Sequence, residues 1–125
     1  MPRFVVLRHE MLDGAARPSH WDFMLECGET LRTWALDSQP DAQEPQLVEA
    51  LADHRLAYLD YEGAVSGGRG NVVRWDAGSY ELQDEAGVSR PAVSIRVVGS
   101  RLRGELRILL VDDAWRFQYF ANTEG

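Results

Sequence analysis

The chain has no lysine, a single cysteine and no long hydrophobic run, and each absence excludes something. With Cys27 alone, an internal disulfide is impossible, which favours a reducing compartment. No segment approaches the roughly 20 apolar residues of a membrane span. The apolar run from Phe4 to Leu7 is also too short for the core of a secretory signal. We therefore expect a cytoplasmic protein with no membrane segment.

Positive charge is also scarce. The 13 arginines face 20 acidic residues, and the net charge is −7. Proteins that bind duplex DNA without sequence preference normally carry a basic excess, because they neutralise many phosphates. Any contact with nucleic acid is therefore expected to be local and weak.

The length and the hydrophobic pattern predict one mainly β domain over residues 1–125. Short runs of alternating apolar residues recur along the chain and are separated by turn residues. They predict strands near 3–9, 20–26, 31–36, 71–76, 79–83, 92–98, 101–111 and 115–120. The expected turns are Cys27-Gly28-Glu29, Ala77-Gly78, Gly99-Ser100 and Asp112-Asp113. So many antiparallel strands leave exposed edges unless the sheet closes, so we predict a small closed or partly closed antiparallel β-barrel with at most one or two short helices.

One segment permits two interpretations. Between Asp41 and Asp53, Pro45 followed by Leu47, Val48 and Leu51 is typical of a helix start. A strand is the alternative, and the pattern alone does not decide between them.

The histidines suggest a site. His20 and Asp22 are two residues apart in a predicted strand, so their side chains share a face. His9 lies at the end of the preceding strand, and antiparallel pairing would bring it to the same end of the sheet. Two imidazoles and a carboxylate suit Mn²⁺, Zn²⁺ or Fe²⁺. The alternative is that His20 and Asp22 only hydrogen-bond to each other on the strand.

Several motifs in one order resemble the 3′-phosphoesterase domain of bacterial DNA ligase D. The likeness covers about residues 3 to 80, and the rest of the chain shares only a pattern of strands. The motifs are Phe4-Val5-Val6-Leu7-Arg8-His9, His20-Trp21-Asp22-Phe23-Met24-Leu25-Glu26, Thr33-Trp34-Ala35, Asp53-His54-Arg55-Leu56-Ala57-Tyr58, Tyr61-Glu62-Gly63 and Val72-Val73-Arg74-Trp75-Asp76-Ala77-Gly78.

The resemblance implies a barrel, a divalent ion and a phosphate site. The implied metal ligands are His9, His20 and Asp22, and the implied ion is Mn²⁺, with Zn²⁺ as an alternative. His54 and Tyr58 match the residues that bind and act on the phosphate. A protonated His54 would hold a phosphate oxygen or give a proton to the leaving 3′-oxygen.

The chain departs from the family pattern at four places. Met24 replaces an arginine of the metal and phosphate site, and Arg55 replaces a proline. The stretch from His9 to His20 is longer, and the glycine-rich loop Ser66-Gly67-Gly68-Arg69-Gly70 is shorter. Arg69 is the best substitute for the missing arginine, ahead of Arg17 and Arg55. These departures suggest a divergent, free-standing relative.

The expected function is metal-dependent removal of a 3′-phosphate or 3′-ribonucleotide from nucleic-acid ends in DNA repair. A ligase or polymerase would be a partner in trans. Two alternatives remain. The first is a non-catalytic metal-binding domain that binds nucleic-acid ends or a repair partner, which Met24 favours. The second is a phosphoesterase for a small metabolite, which the negative charge favours.

Overall fold

The structure, a computed structural model, describes residues 1–83 and 91–122. Nine strands and one short 3₁₀ helix follow one another in these ranges. They are β1 (Arg3–Glu10), β2 (His20–Cys27), β3 (Thr30–Leu36), β4 (Gln46–Arg55), the 3₁₀ helix (Leu56–Leu59), β5 (Gly63–Ala64), β6 (Asn71–Leu82), β7 (Ala92–Gly99), β8 (Arg103–Val111) and β9 (Ala114–Ala121).

Eight of the strands close into an antiparallel barrel. Their order is β1-β2-β3-β4-β9-β8-β7-β6, and β1 pairs with β6 to complete the circle. The two-residue strand β5 pairs with the start of β6, outside this circle. Closure gives each of the eight long strands two neighbours, which removes the open edges of a flat sheet. The predicted closed barrel is confirmed.

Two layers of apolar side chains share the wall formed by β1 and β2. The inner layer fills the barrel and contains, among others, Phe4, Val6, Phe23, Trp34 and Phe117. The outer layer lies on the other face of the same strands and consists of Val5, Leu7, Met24, Leu31, Leu59, Val65 and Val72. Because successive side chains of a strand point to opposite faces, a strand buried on both faces is continuously apolar. This explains the unbroken run from Phe4 to Leu7, which is at most 1% exposed.

A cover over part of the barrel wall creates the outer layer. Leu59 from the 3₁₀ helix and Val65, just after β5, pack onto β1 and β2 from outside. Chemical groups under this cover are therefore shielded from water without lying inside the barrel.

The turn predicted at Ala77-Gly78 is wrong. β6 runs without a break from Asn71 to Leu82, and Gly78 faces Gly99 of β7. A Cβ atom at Gly78 would lie 2.0 Å from the carbonyl oxygen of Val98. Glycine is present here because two backbones approach closely, not because the chain turns. The other three predicted turns do connect consecutive strands.

The open choice in the segment 41–53 is resolved as a strand. β4 spans Gln46–Arg55 and pairs with β3 and β9, so the helix interpretation is wrong. Tertiary pairing outweighs the local helix-start signal of Pro45. Within the part of the chain that the structure describes, no helix is long and apolar enough to cross a bilayer.

Candidate metal and phosphate site

Strand pairing brings the two early histidines together. In the β1–β2 ladder, His9 is opposite His20 and Leu7 is opposite Asp22. The rings of His9 and His20 are 5.0 Å apart, centre to centre. The prediction that both imidazoles lie at the same end of the sheet is confirmed. They share the outer face of the barrel wall with Asp22.

Backbone carbonyl groups orient both imidazoles. His20 Nδ1 lies 2.9 Å from the carbonyl oxygen of Pro18, and His9 Nε2 lies 2.6 Å from that of Arg69. A carbonyl oxygen only accepts, so each of these nitrogens carries the proton and donates it. In a neutral imidazole the other nitrogen then has a free lone pair. These two nitrogens are His20 Nε2 and His9 Nδ1, and both face Asp22.

Asp22 completes the cluster. Its side chain is 3% exposed, with Oδ1 3.0 Å from His20 Nε2 and Oδ2 3.2 Å from His9 Nδ1. Oδ1 and His20 Nε2 are within ion-pair distance but lack hydrogen-bond geometry, and Oδ1 has no hydrogen-bond partner among the described residues. A buried carboxylate oxygen without a hydrogen-bond partner lowers the stability of the folded protein unless a cation lies close to it.

The two histidines shift the pKa of the carboxyl group. Burial alone would raise the pKa of Asp22, but the interactions with His20 and His9 outweigh burial and lower it to about 2. Without an ion, a second proton on His9 lies on Nδ1 and is donated to Asp22, and this hydrogen bond raises the pKa of His9. Asp22 is therefore a carboxylate at neutral pH.

The donor atoms of this cluster fit a divalent cation. One ligand atom from each of His9, His20 and Asp22 lies within 4.8 Å of the others. Two imidazole nitrogens and one carboxylate oxygen are a common set for transition metals, and three protein ligands leave positions open. The carbonyl groups of Pro18 and Arg69 accept hydrogen bonds from the imidazole nitrogens that do not face Asp22, and metal-binding histidines commonly have such partners. Together with the unpartnered Oδ1, this makes the three residues suitable to hold such an ion.

A β-bulge places His54 beside this cluster. On β3, Thr33 and Leu31 are two residues apart, but their partners on β4, Leu51 and His54, are three apart. The extra residue makes His54, rather than Asp53, the partner of Leu31, which belongs to the outer layer. Without the bulge, strand alternation would place His54 on the other face.

His54 and Tyr58 form a pair at the edge of the cover. Nδ1 of His54 lies 2.9 Å from the carbonyl oxygen of Ala52, so it is the donor and Nε2 is left for other chemistry. The rings of His54 and Tyr58 meet edge to face at 5.7 Å. Both side chains are half-buried.

One cavity connects the two groups of residues. It is lined by His9, Asp22, Met24, His54, Tyr58, Val65, Arg69 and Val72. An adjoining open groove is lined by His54, Arg55, Tyr58 and Arg69 together with Ala52 and Asp53. All the residues predicted for the metal and phosphate sites line this cavity except His20, which is buried and contacts Asp22.

Arg69 reaches the cavity from the glycine-rich loop. Its Nε donates to the carbonyl oxygen of Ser66 over 2.7 Å, and a terminal nitrogen lies 3.2 Å from Ser66 Oγ. Arg17, an alternative phosphate ligand, instead forms an ion pair with Glu49. Arg55 borders the open groove.

Two acidic residues of the motifs shared with the family, Asp53 and Glu62, act away from the histidines. Asp53 accepts a hydrogen bond from Thr30, and Glu62 accepts one from the backbone N–H of Arg74. Three features of the site were missed from the sequence: the bulge in β4 and the carbonyl groups of Pro18 and Arg69. The positions of the glycines in the 66–70 loop were the one signal that could have suggested the Arg69 contact.

Several known proteins have sequences similar to that of this chain. The family of the DNA ligase D 3′-phosphoesterase domain matches residues 13–110. The multifunctional non-homologous end joining protein LigD of Pseudomonas aeruginosa is 31% identical over 114 residues, which are 86% of this chain and 13% of that protein. The multifunctional non-homologous end joining DNA repair protein LigD of Mycobacterium tuberculosis is 31% identical over 121 residues, 90% of this chain and 15% of that protein. The chain thus spans only a small part of the length of these relatives. By the family match and by these relatives, the chain belongs to the DNA ligase D 3′-phosphoesterase domain family.

Proposed function

We propose that this chain is a metal-dependent phosphoesterase that removes a 3′-phosphate or a 3′-terminal ribonucleotide from nucleic-acid ends in DNA repair. The observation that carries the proposal is the single cavity that joins His9 and Asp22 to His54, Tyr58 and Arg69. Family membership supports the reaction class, since the family is described as a phosphoesterase domain. The relatives' names place them in end joining.

His9, His20 and Asp22 would hold the ion. Mn²⁺ is our first candidate because of the family resemblance, and Zn²⁺ is the alternative that the same donors accept. When bound, such an ion supplies Lewis-acid polarisation of a phosphoryl oxygen and lowers the pKa of a water ligand.

His54 would move the proton. In the reaction, a water oxygen would form a bond to phosphorus while the bond from phosphorus to the 3′-oxygen breaks, and the proton that the water loses would pass to an oxygen of the released phosphate or to the solvent. A protonated His54 can give its Nε2 proton to the departing 3′-oxygen, which leaves as a hydroxyl group. The hydrogen bond from Nδ1 to Ala52 keeps the ring in the required orientation.

Tyr58 and Arg69 would hold the phosphate. The Tyr58 hydroxyl can donate one hydrogen bond to a phosphate oxygen, and the Arg69 guanidinium group offers charge and donors not used by Ser66. Fixed donors of this kind stabilise charge that develops in the transition state.

The net charge limits how nucleic acid can bind. With a net charge of −7, an extended basic surface is not expected, so the contacts would concentrate on the phosphate at the 3′ end. A ligase or polymerase partner would hold the remainder of the duplex.

Met24 favours a second candidate, a non-catalytic domain that binds metal and nucleic-acid ends. This side chain is 1% exposed, packs in the outer layer and lines the cavity. A thioether cannot neutralise a phosphate. If Arg69 does not supply the missing charge, catalysis is lost while metal binding remains.

Replacement of His54 distinguishes the two candidates. For the enzyme, His54→Ala and His54→Gln should both lower turnover of primers with 3′-phosphate or 3′-ribonucleotide ends by about 10² to 10⁴. Their metal content should equal that of the wild type, because His54 is not among the three ligands. A folded, metal-loaded wild type that is inactive on these ends and on small phosphoesters would contradict the enzyme proposal.

A further inference from the structure

A second cavity also borders Tyr58. Its volume is about 200 Å³, below the usual range of roughly 300–1,000 Å³ for pockets that bind drug-sized ligands, so it has room for one small group. Its lining residues are Arg55, Ala57, Tyr58, Tyr61, Ala64 and Ser66. Tyr58 borders both this cavity and the phosphate cavity, so one ligand can reach into both.

Aromatic rings form a continuous row between the two cavities. Tyr58 meets His54 edge to face at 5.7 Å, and it meets Tyr61 in the same way at 5.8 Å. The Tyr61 hydroxyl donates to the carbonyl oxygen of Ala64, which fixes the ring, although the residue is 39% exposed. An exposed aromatic ring that is held in one orientation is well suited to stack on a planar ligand.

Arg55 brings a positive charge to the same cavity. It is exposed, it borders both the second cavity and the open groove, and no described side chain forms a hydrogen bond or ion pair with it. A guanidinium group can stack on a planar ring or donate hydrogen bonds to its polar edge.

We propose that this second cavity binds the nucleobase of the nucleoside whose phosphate is held by His54 and Tyr58. A base is planar, has polar edges and is connected to its phosphate through one sugar, which matches two small cavities that share one wall. Stacking on aromatic side chains tolerates every base, so the subsite would favour ends that carry a base without reading the sequence. The inference rests on the proposed function, because it places the phosphate in the first cavity.

Binding measurements test the subsite without turnover. Calorimetry with Mn²⁺ present compares adenosine 3′-phosphorothioate, a slowly hydrolysed nucleotide, with inorganic thiophosphate. The wild type should bind the nucleotide about tenfold more tightly, as expected for one stacked base. Tyr61→Ala should remove most of this preference while thiophosphate affinity stays unchanged. Arg55→Ala, which also borders the open groove, should lower nucleotide affinity more than thiophosphate affinity.

Two control variants separate stacking from general damage. Tyr61→Phe keeps the ring and should retain the preference, and Arg101→Ala removes an exposed arginine that lies over Trp75 instead. Equal affinity of the wild type for both ligands would overturn the inference. So would an equal weakening of both ligands in the Tyr61→Ala and Arg55→Ala variants.

A kinetic comparison separates failure of the subsite from failure of the proposed function. The substrates are two oligonucleotides with a 3′-phosphate, one ending in a normal nucleotide and one in an abasic residue. The inference predicts a higher KM for the abasic end. Hydrolysis of both ends with the same KM would contradict the base subsite alone. Selective nucleotide binding without hydrolysis of any end would contradict the phosphoesterase proposal alone.

Discussion

The inner and outer layers of the barrel wall share strands but are built in different ways. The inner layer contains side chains from every long strand except β4, of which only the partly buried Val48 packs against it. The outer layer depends on β1, β2, β3 and the start of β6, together with residues contributed by the 3₁₀ helix and the segment around β5. The candidate site lies in the outer layer, beneath and beside these short elements.

This difference suggests that the inner layer mainly stabilises the fold and that the outer layer also binds ligands. The inner layer has a regular, close-packed arrangement, for example Phe23 stacked on Phe4 at 5.9 Å and edge-on to Phe117 at 5.3 Å. The outer layer holds imidazoles, an open cavity and the buried Asp22, whose Oδ1 lacks a hydrogen-bond partner among the described residues. The other buried carboxylate, Asp76, instead accepts hydrogen bonds from the backbone N–H groups of residues 100–102. We therefore expect changes in the inner layer to act mainly on folding, and changes in the outer layer to act also on ligands.

The largest effect is expected from Phe23→Ala in the inner layer. Loss of a fully buried ring and the cavity it leaves should lower the free energy of unfolding by about 3 to 5 kcal/mol. The residual folded protein should bind Mn²⁺ and thiophosphate like the wild type. Urea unfolding and calorimetry measure the two quantities.

Leu59→Ala is the matched change in the outer layer. The 3₁₀ helix is short and can shift to fill part of the cavity that the substitution leaves. The free energy of unfolding should therefore fall by about 2 kcal/mol, near the lower end of the range for such truncations. Since Tyr58 precedes Leu59 directly, thiophosphate affinity should fall as well. Unchanged affinity in Leu59→Ala, or a weakened affinity in folded Phe23→Ala, would contradict the division between the two layers.

Two glycines of the 66–70 loop, which contributes to the candidate site, allow a comparison of two substitutions close to the outer layer. Gly70 has φ +80°, and a Cβ there would lie 1.9 Å from the carbonyl oxygen of Glu10; Gly68 has φ +69° with nothing within 4 Å. Both alanine variants carry the backbone strain of a positive φ, about 1 to 2 kcal/mol. Gly70→Ala must also displace the loop and with it the Arg69 carbonyl that orients His9.

We expect Gly70→Ala to lower Mn²⁺ affinity about 10- to 100-fold, as loss of an outer partner of a metal ligand does. Gly68→Ala should lower stability only. Calorimetric titration with Mn²⁺ measures the affinity of both variants. The same metal affinity in both variants would show that the loop does not position His9.

The smallest effect concerns Tyr80 of the inner layer. Burial, its largest cause, raises the pKa of this hydroxyl to about 12 from an ordinary value of 10.0. A raised folded-state pKa means that the contribution of Tyr80 is complete below pH 10 and is lost as the pH rises towards 12. Urea unfolding should therefore show that the free energy of unfolding of the wild type declines between pH 9 and about 12, and that it declines less in Tyr80→Phe. An equal decline in both proteins would contradict this assignment.

The barrel was largely predictable because alternation of side chains is a local signal. Phe23 and Leu25 point inward and Asp22 and Met24 outward, as the period of two requires. The turn assigned to Gly78 failed because glycine serves equally for turns and for close backbone approach. Only the distant Val98 decides between these roles.

The site was predictable in its residue types but not in its construction. His9, His20 and Asp22 follow from strand spacing and one antiparallel pairing. The position of His54 depends on a bulge opposite β3, and that of His9 on a carbonyl group 60 residues away. Such contacts between distant residues leave no periodic pattern in the sequence.

We expect the unpartnered buried oxygen of Asp22 and the two histidines to form a cation site. Calorimetric titration of the metal-free protein with Mn²⁺ tests it most directly, with Asp22→Asn as the variant and Asp60→Asn, an exposed partner of Arg3, as the control. We expect one ion per chain in the wild type and in Asp60→Asn, and at least a tenfold loss of affinity in Asp22→Asn, which keeps the shape but removes the charge. Equal Mn²⁺ affinity in all three proteins, or no binding by the wild type, would contradict this expectation.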